Sequence, residues 1–267
     1  MDMKALAARL GKLQDKGSKG SWFKPNEEDQ QVRILPYPHA DGQMSFIEVF
    51  FHYDVAGHRS ICCPEKTPGI EGSCPICKLA DEFKNMGGKD NWYIFRALEA
   101  KLRTYSPVIV RGKEAEGVKL WGYGKTIYES LMETCIEEGD ITSIDEGHDL
   151  TVKQIPAGAP GNDSTYPKPV CNVKFKPSSA FKTKKEAKDT VATIPNYLQD
   201  ENIFKFLDYA ALCDVVEKLN NEGTTTEETD YSALPSDENL TFGKDDTPAA
   251  PVASNDNLEA ELDDLLS

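Results

Sequence analysis

Four cysteines, Cys62, Cys63, Cys74 and Cys77, fall within sixteen residues, and His52 lies ten residues ahead of the first of them. The chain has seven cysteines, which cannot all pair with one another, and its N-terminus lacks the apolar core of a signal peptide. In a reducing compartment such a cluster points to metal ligation over disulfides. Cys74-Pro75-Ile76-Cys77 is a C-x-x-C pair, whose tight turn lets two thiolates reach one ion. One further cysteine and a histidine complete a tetrahedral set for one zinc. The third thiolate is Cys63, which Pro64 follows as Pro75 follows Cys74, or its neighbour Cys62; the imidazole is His52, on a strand-like run, or His58, near the Gly57 turn. His52 and Cys63 are preferred. Four protein donors leave no open position for a water, so the zinc is expected to be structural and the protein not an enzyme. The zinc deaminase pattern, H-x-E followed by P-C-x-x-C, fails here: Tyr53-Asp54 follows His52, Arg59-Ser60 follows His58, and Ser73 precedes Cys74. Cys135, Cys171 and Cys213 sit apart and read as core thiols.

The 267 residues are 39% hydrophobic, and no run approaches the roughly 18 apolar residues of a membrane span, so a soluble, intracellular protein is expected. A net charge of −15 argues against a nucleic-acid partner until it is located. Residues 221–267 carry thirteen Asp or Glu against the single Lys244, a net of −12, which leaves −3 for residues 1–220. Within that nearly balanced body, residues 92–128 hold seven Lys or Arg against three Glu, and residues 168–188 hold seven Lys against Glu186. Basic stripes on the body face an oppositely charged tail.

Met3 to Leu13 places Ala5, Leu6, Leu10 and Leu13 at helical spacing beside Lys4, Arg9 and Lys12, and Lys16-Gly17-Ser18-Lys19-Gly20 then breaks the pattern. Residues 1–20 are therefore expected to form a flexible basic arm. Gln31–Leu35, Phe46–Phe51, Trp92–Leu102, Ser106–Arg111, Val118–Tyr123 and Leu150–Ile155 read as strands, with a helix at Lys125–Glu137. Residues 156–170 read as a long loop and 201–219 as the helix that closes the body. Short strands around one helix predict a mainly β, α+β fold: an OB-like barrel over residues 21–220 with a zinc subdomain inserted at about 52–90. Past Asn220, few large apolar residues predict a disordered tail. Its end, Leu258-Glu259-Ala260-Glu261-Leu262-Asp263-Asp264-Leu265-Leu266, regains an amphipathic pattern suited to a partner.

Residues 92–128 interleave Trp92, Tyr93, Tyr105, Trp121 and Tyr123 with Arg96, Lys101, Arg103, Arg111, Lys119 and Lys125. Single-stranded DNA asks for this mixture, since cations track phosphates while exposed rings stack on unpaired bases with little sequence preference. No phosphate-binding Walker loop, nucleophile elbow or dinucleotide fingerprint is present.

His52, Cys63, Ser73-Cys74-Pro75-Ile76-Cys77, the run Glu116-Gly117-Val118-Lys119-Leu120-Trp121-Gly122-Tyr123-Gly124-Lys125 and the terminal Leu262-Asp263-Asp264-Leu265-Leu266 together resemble the single-stranded DNA-binding, helix-destabilising proteins of T-even-like phages. The resemblance implies an OB fold bearing a zinc subdomain, with Tyr105, Arg103, Trp121 and Tyr123 in the DNA cleft. It also implies an N-terminal arm through which copies bind DNA cooperatively, and an acidic tail that recruits phage replication, recombination and repair proteins. Leu258, Leu262, Asp263, Asp264, Leu265 and Leu266 would serve that recruitment, in the cytoplasm of the infected bacterial host. The family's compact Lys-Arg-Lys-Ser-Thr arm motif is replaced here by Lys4, Arg9 and Lys12 spread along a helix.

Overall fold

The computed structural model describes residues 22–39 and 45–222. The arm and the acidic tail, with its leucines and Asp263 and Asp264, lie outside the described residues. Eight strands form one mixed sheet: β1 (Trp22–Phe23), β2 (Gln30–Ile34), β3 (Ile47–Val55), β4 (His58–Cys62), β5 (Lys101–Val110), β6 (Lys119–Tyr123), β7 (His148–Ile155) and β8 (Lys168–Pro177). Among the described residues, five α-helices accompany them: α1 (Pro75–Met86), α2 (Lys89–Leu98), α3 (Lys125–Glu138), α4 (Lys184–Ala192) and α5 (Tyr209–Glu222).

The main path runs β1-β6-β5-β2-β7-β8, with β3 on β5 and β4 on β3. β5 is the spine. Its first half pairs with β3 from Phe51↔Lys101 to Ile47↔Tyr105, and its second half pairs with β2 from Ile34↔Val108 to Val32↔Val110. β6 lies along its other edge, and β1 adds to β6 in parallel. The expected closed barrel is not formed: β1 and β8 end the path as edges, and β1 is only two residues long.

Alternation along the strands sorts side chains between two cores. Val32, Ile34, Val108, Val110, Trp121, Tyr123, Leu150 and Val152 pack beneath α3 with Ile127, Tyr128 and Leu131. Leu35, Val49, Phe51, Ile109, Leu120 and Phe204 fill the opposite side. A third cluster joins the β3–β4 hairpin to α1, α2 and α5 through Val55, Ile61, Ile76, Phe95, Leu212 and Val215. The segment read as a strand from Trp92 is helical as far as Leu98, because Ile94, Phe95 and Leu98 recur at the i, i+1, i+4 spacing that turns one helix face inward. Aromatic content favoured a strand, and periodicity prevails. β4, β8 and α1 were not foreseen, and α5 begins at Tyr209 where a helix from residue 201 was expected.

Candidate metal centre and nucleic-acid interface

Cys62 and Cys63 are neighbours that face opposite ways. Cys62 pairs with Phe51 at the end of β4 and packs beside Phe204 and Phe51, whereas Cys63 turns into the cluster between hairpin and helices. His52 is a buried residue in the second half of β3, and Cys74 and Cys77 sit at the cap and first turn of α1, where Pro75 opens the helix without needing an amide partner. These elements bring the ligand atoms of His52, Cys63, Cys74 and Cys77 within 4.8 Å of one another, all buried. His58 is exposed on β4, outside the group.

The separations suit a tetrahedral ion. Cys63 Sγ and Cys77 Sγ are 3.5 Å apart, and His52 Nε2 lies 3.3 Å from Cys74 Sγ and 3.7 Å from Cys77 Sγ. Bonds of about 2.3 Å to sulfur at tetrahedral angles put two sulfurs roughly 3.8 Å apart. His52 Nδ1 donates to the Leu98 carbonyl at 2.6 Å, which fixes the ring and turns Nε2 toward the thiols, as second-shell partners of metal-bound histidines do. The Cys74 amide donates to Glu65 Oε2 at 2.7 Å. Burial opposes a charge on His52, yet its contacts with Cys63, Cys74 and Leu98 outweigh that and raise its pKa to about 9. Hydrogen bonds with Cys74 and Cys77 drive the Cys63 thiol down, while contacts with Cys63 and Cys74 push Cys77 up. The cluster can hold a metal ion such as zinc, and four protein donors close the site.

Two expected stacking rings are in the core. Trp121 is 1% exposed and Tyr123 2%, so neither can meet a base. On β6, Trp121 and Tyr123 share the face turned toward α3, Leu120 and Gly122 share the other, and Lys119 at the strand's start lines the groove. Tyr123 also hydrogen-bonds the buried Ser106 hydroxyl at 2.7 Å. Arg111 is likewise occupied inside the fold: Asp149 Oδ1 accepts from its Nη2 at 2.8 Å, and the Ala180 and Ser179 carbonyls accept at 2.7 and 2.9 Å. That triad, completed by the buried Arg33, was not read from the sequence.

Tyr105 and Arg103 lie on the face of β5 shared with Ile109, where the Tyr105 ring packs edge-on against the buried Phe204 at 4.8 Å between centroids and keeps only part of its surface exposed. The Tyr105 ring rests on Gly122, where a β-carbon would come within 2.6 Å of Tyr105 Cε1, so only glycine lets the ring lie flat on β6. Tyr105 meets Trp22 at 5.9 Å between centroids and Phe51 at 6.3 Å, and Phe51 stacks on Tyr53 at 5.9 Å. Tyr53, Tyr105 and Trp22 are each partly exposed, forming an aromatic ledge. Burial raises the pKa values of Tyr53 and Tyr105, with the charge of Arg103 opposing the shift in both. At Trp22 the ledge opens into a groove of about 490 Å³ lined by Lys24, Lys113 and Lys119. Lys119 Nζ also contacts Glu116.

The other expected cations are spread out. Arg96 and Lys101 both pair with Glu99, at 2.8 and 3.2 Å, and Lys125 pairs with Glu129 at 3.5 Å. Trp92 and Tyr93 are 46% and 51% exposed, but on α2 beside the metal cluster and not on the ledge. Trp22, Lys24 and Tyr53, which the fold brings to the ledge and groove, did not stand out in the sequence; Trp22-Phe23-Lys24 carried an aromatic-basic signal too short to notice. Among the described residues, no helix is long and apolar enough to cross a membrane. No protein-family model matches the chain, and comparison with curated proteins gives no match.

Proposed function

We propose that this chain is a non-enzymatic protein that binds single-stranded DNA with little sequence preference, its fold locked by one structural zinc held by His52, Cys63, Cys74 and Cys77. The observation that carries the reading is the ledge of Tyr53, Tyr105 and Trp22 running into a groove with three lysines. Partly exposed rings supply stacking area that every base can use, and Lys24, Lys113, Lys119 and Arg103 supply charge for the phosphates. The ion pairs of Lys119 and Lys125 are at the surface, where water and salt screen them, so phosphates compete with them readily. Zinc would crosslink the hairpin to α1 and contribute its binding energy to folding. The basic arm and acidic tail extend the reading to cooperative coating of strands and recruitment of phage replication proteins in an infected bacterium.

Titrating the full chain with single-stranded, duplex and RNA oligonucleotides across a salt series tests this. Single strands should bind tightest. Tyr105→Ala should weaken binding about tenfold without changing the salt slope, and Lys113→Ala should lower the slope by about one. Trp22→Phe should remove most of the fluorescence change on binding, while Trp121, inside the core, reports unfolding only. Preference for duplex, or a Tyr105→Ala variant that binds as wild type, would refute the assignment.

A further inference from the structure

Strand β8 leaves the regular ladder between Val173 and Pro177. The register passes from Leu150↔Val173 to His148↔Pro177, so β8 spends four steps where β7 spends two, and Lys174, Phe175 and Lys176 bulge from the sheet edge. The bulge is clamped. His148 Nδ1 donates to the Lys174 carbonyl at 2.7 Å, satisfying a group the ladder leaves over, and the Ser178 amide donates to the Gly147 carbonyl at 2.9 Å. Arg33 donates to the Ser178 carbonyl and, at 2.7 Å, to its hydroxyl. Gly147 makes this possible, since a β-carbon there would lie 2.3 Å from the Ser143 carbonyl oxygen and 2.5 Å from Arg33 Nη1.

On this fixed support the Phe175 side chain is 88% exposed. Bulges at sheet edges commonly re-aim a side chain, and this one turns a large apolar ring into water between two lysines. Beyond it the chain passes Ser179 and Ala180, whose carbonyls accept from Arg111, and Arg111 stands two residues before the groove residue Lys113, so one arginine joins the segment after the bulge to the strand end beside the groove. A protein hot spot would be ringed by further apolar contacts that exclude water, whereas Phe175 is bordered by Lys174, Lys176 and the exposed Asn172.

We propose that Phe175 is a stacking post for an unpaired base, carrying a single strand from the Lys113 side of the groove onto the edge of β8 with Lys174 and Lys176 on the adjoining phosphates. The proposal rests on the single-strand reading above and lengthens its track. Full-length wild type, Phe175→Ala, Phe175→Tyr and Tyr105→Ala are compared on a long and a short oligo(dT). Phe175→Ala should lose about tenfold in affinity on the long strand at an unchanged salt slope, and little on the short one. Phe175→Tyr should stay within about twofold of wild type because the ring is kept. Unchanged melting temperatures would show that the fold is not the cause, as expected for so exposed a side chain. Wild-type affinity of Phe175→Ala on both lengths overturns the proposal; if Tyr105→Ala still weakens binding, the groove reading stands and only the extension falls. If wild type binds neither strand, both fall. Intact strand affinity with altered self-association would make the bulge a protein contact and equally overturn it.

Discussion

Asp149 stands between two arginines, with Oδ1 3.0 Å from Arg33 Nε and 2.8 Å from Arg111 Nη2. Burial would raise its carboxyl pKa, but hydrogen bonds and charge from Arg111 and Arg33 prevail and hold it below the ordinary value. Arg33 is fully buried, so Asp149→Asn leaves a cation without its counter-charge, and urea unfolding at pH 7 should show a loss of about 3–5 kcal/mol. A carboxyl depressed by folding stabilises above its unfolded pKa and loses that contribution as pH falls through the folded value. The gap between wild type and variant should therefore persist to about pH 4 and narrow below it. At this scale the buried His52, Cys63, Cys74 and Cys77 cluster was legible in the sequence and Asp149 was not. Three thiols and an imidazole announce themselves by type and spacing, whereas an aspartate 116 residues from Arg33 acquires its partner only through the β2–β7 pairing.

Elements decide what residue types leave open. Trp121 and Tyr123 look like stacking rings beside Lys119, yet residues at alternate positions of one strand share a face, and for Trp121 and Tyr123 that face is the core. Whether a strand's aromatic face points in or out is set by the helix that covers it, here α3, which local sequence does not reveal. The same alternation on β3 turns Phe51 and Tyr53 to the ledge and His52 to the cysteines. The cluster ties β3, the turn after β4 and α1 together, so its loss should be felt there first. Chelation, or Cys74→Ser, should speed amide exchange in β3, β4 and α1 while β2, β7 and β8 stay protected. At free zinc a thousandfold above its Kd, the stability lost should reach about 4 kcal/mol. Because binding displaces protons from His52 and the thiols, affinity for the metal should weaken in acid, measurable by competition with a chromophoric chelator.

For the molecule as a whole, charge is the coarse variable. Helix α5 runs to Glu222, so a clean truncation falls after that residue and removes a net charge of −11. If the removed segment competes with phosphates for the groove, truncation should raise single-strand affinity several-fold at low salt and have almost no effect near 1 M, where charges are screened within about 3 Å. Equal affinities across the series would leave the segment to partner recruitment alone. The sheet's open form was not readable in the sequence, since barrel closure depends on edge pairings between strands far apart in sequence. The spine strand β5 has a consequence for ligands as well. Its first half carries Arg103 and Tyr105 and pairs with the strand that bears His52, so one short ladder underlies both the ledge and the metal cluster. If zinc and a single strand couple through that ladder, each changes the affinity for the other by the same factor, so zinc titrated with and without saturating oligo(dT) should show the shift that zinc imposes on oligo(dT) binding.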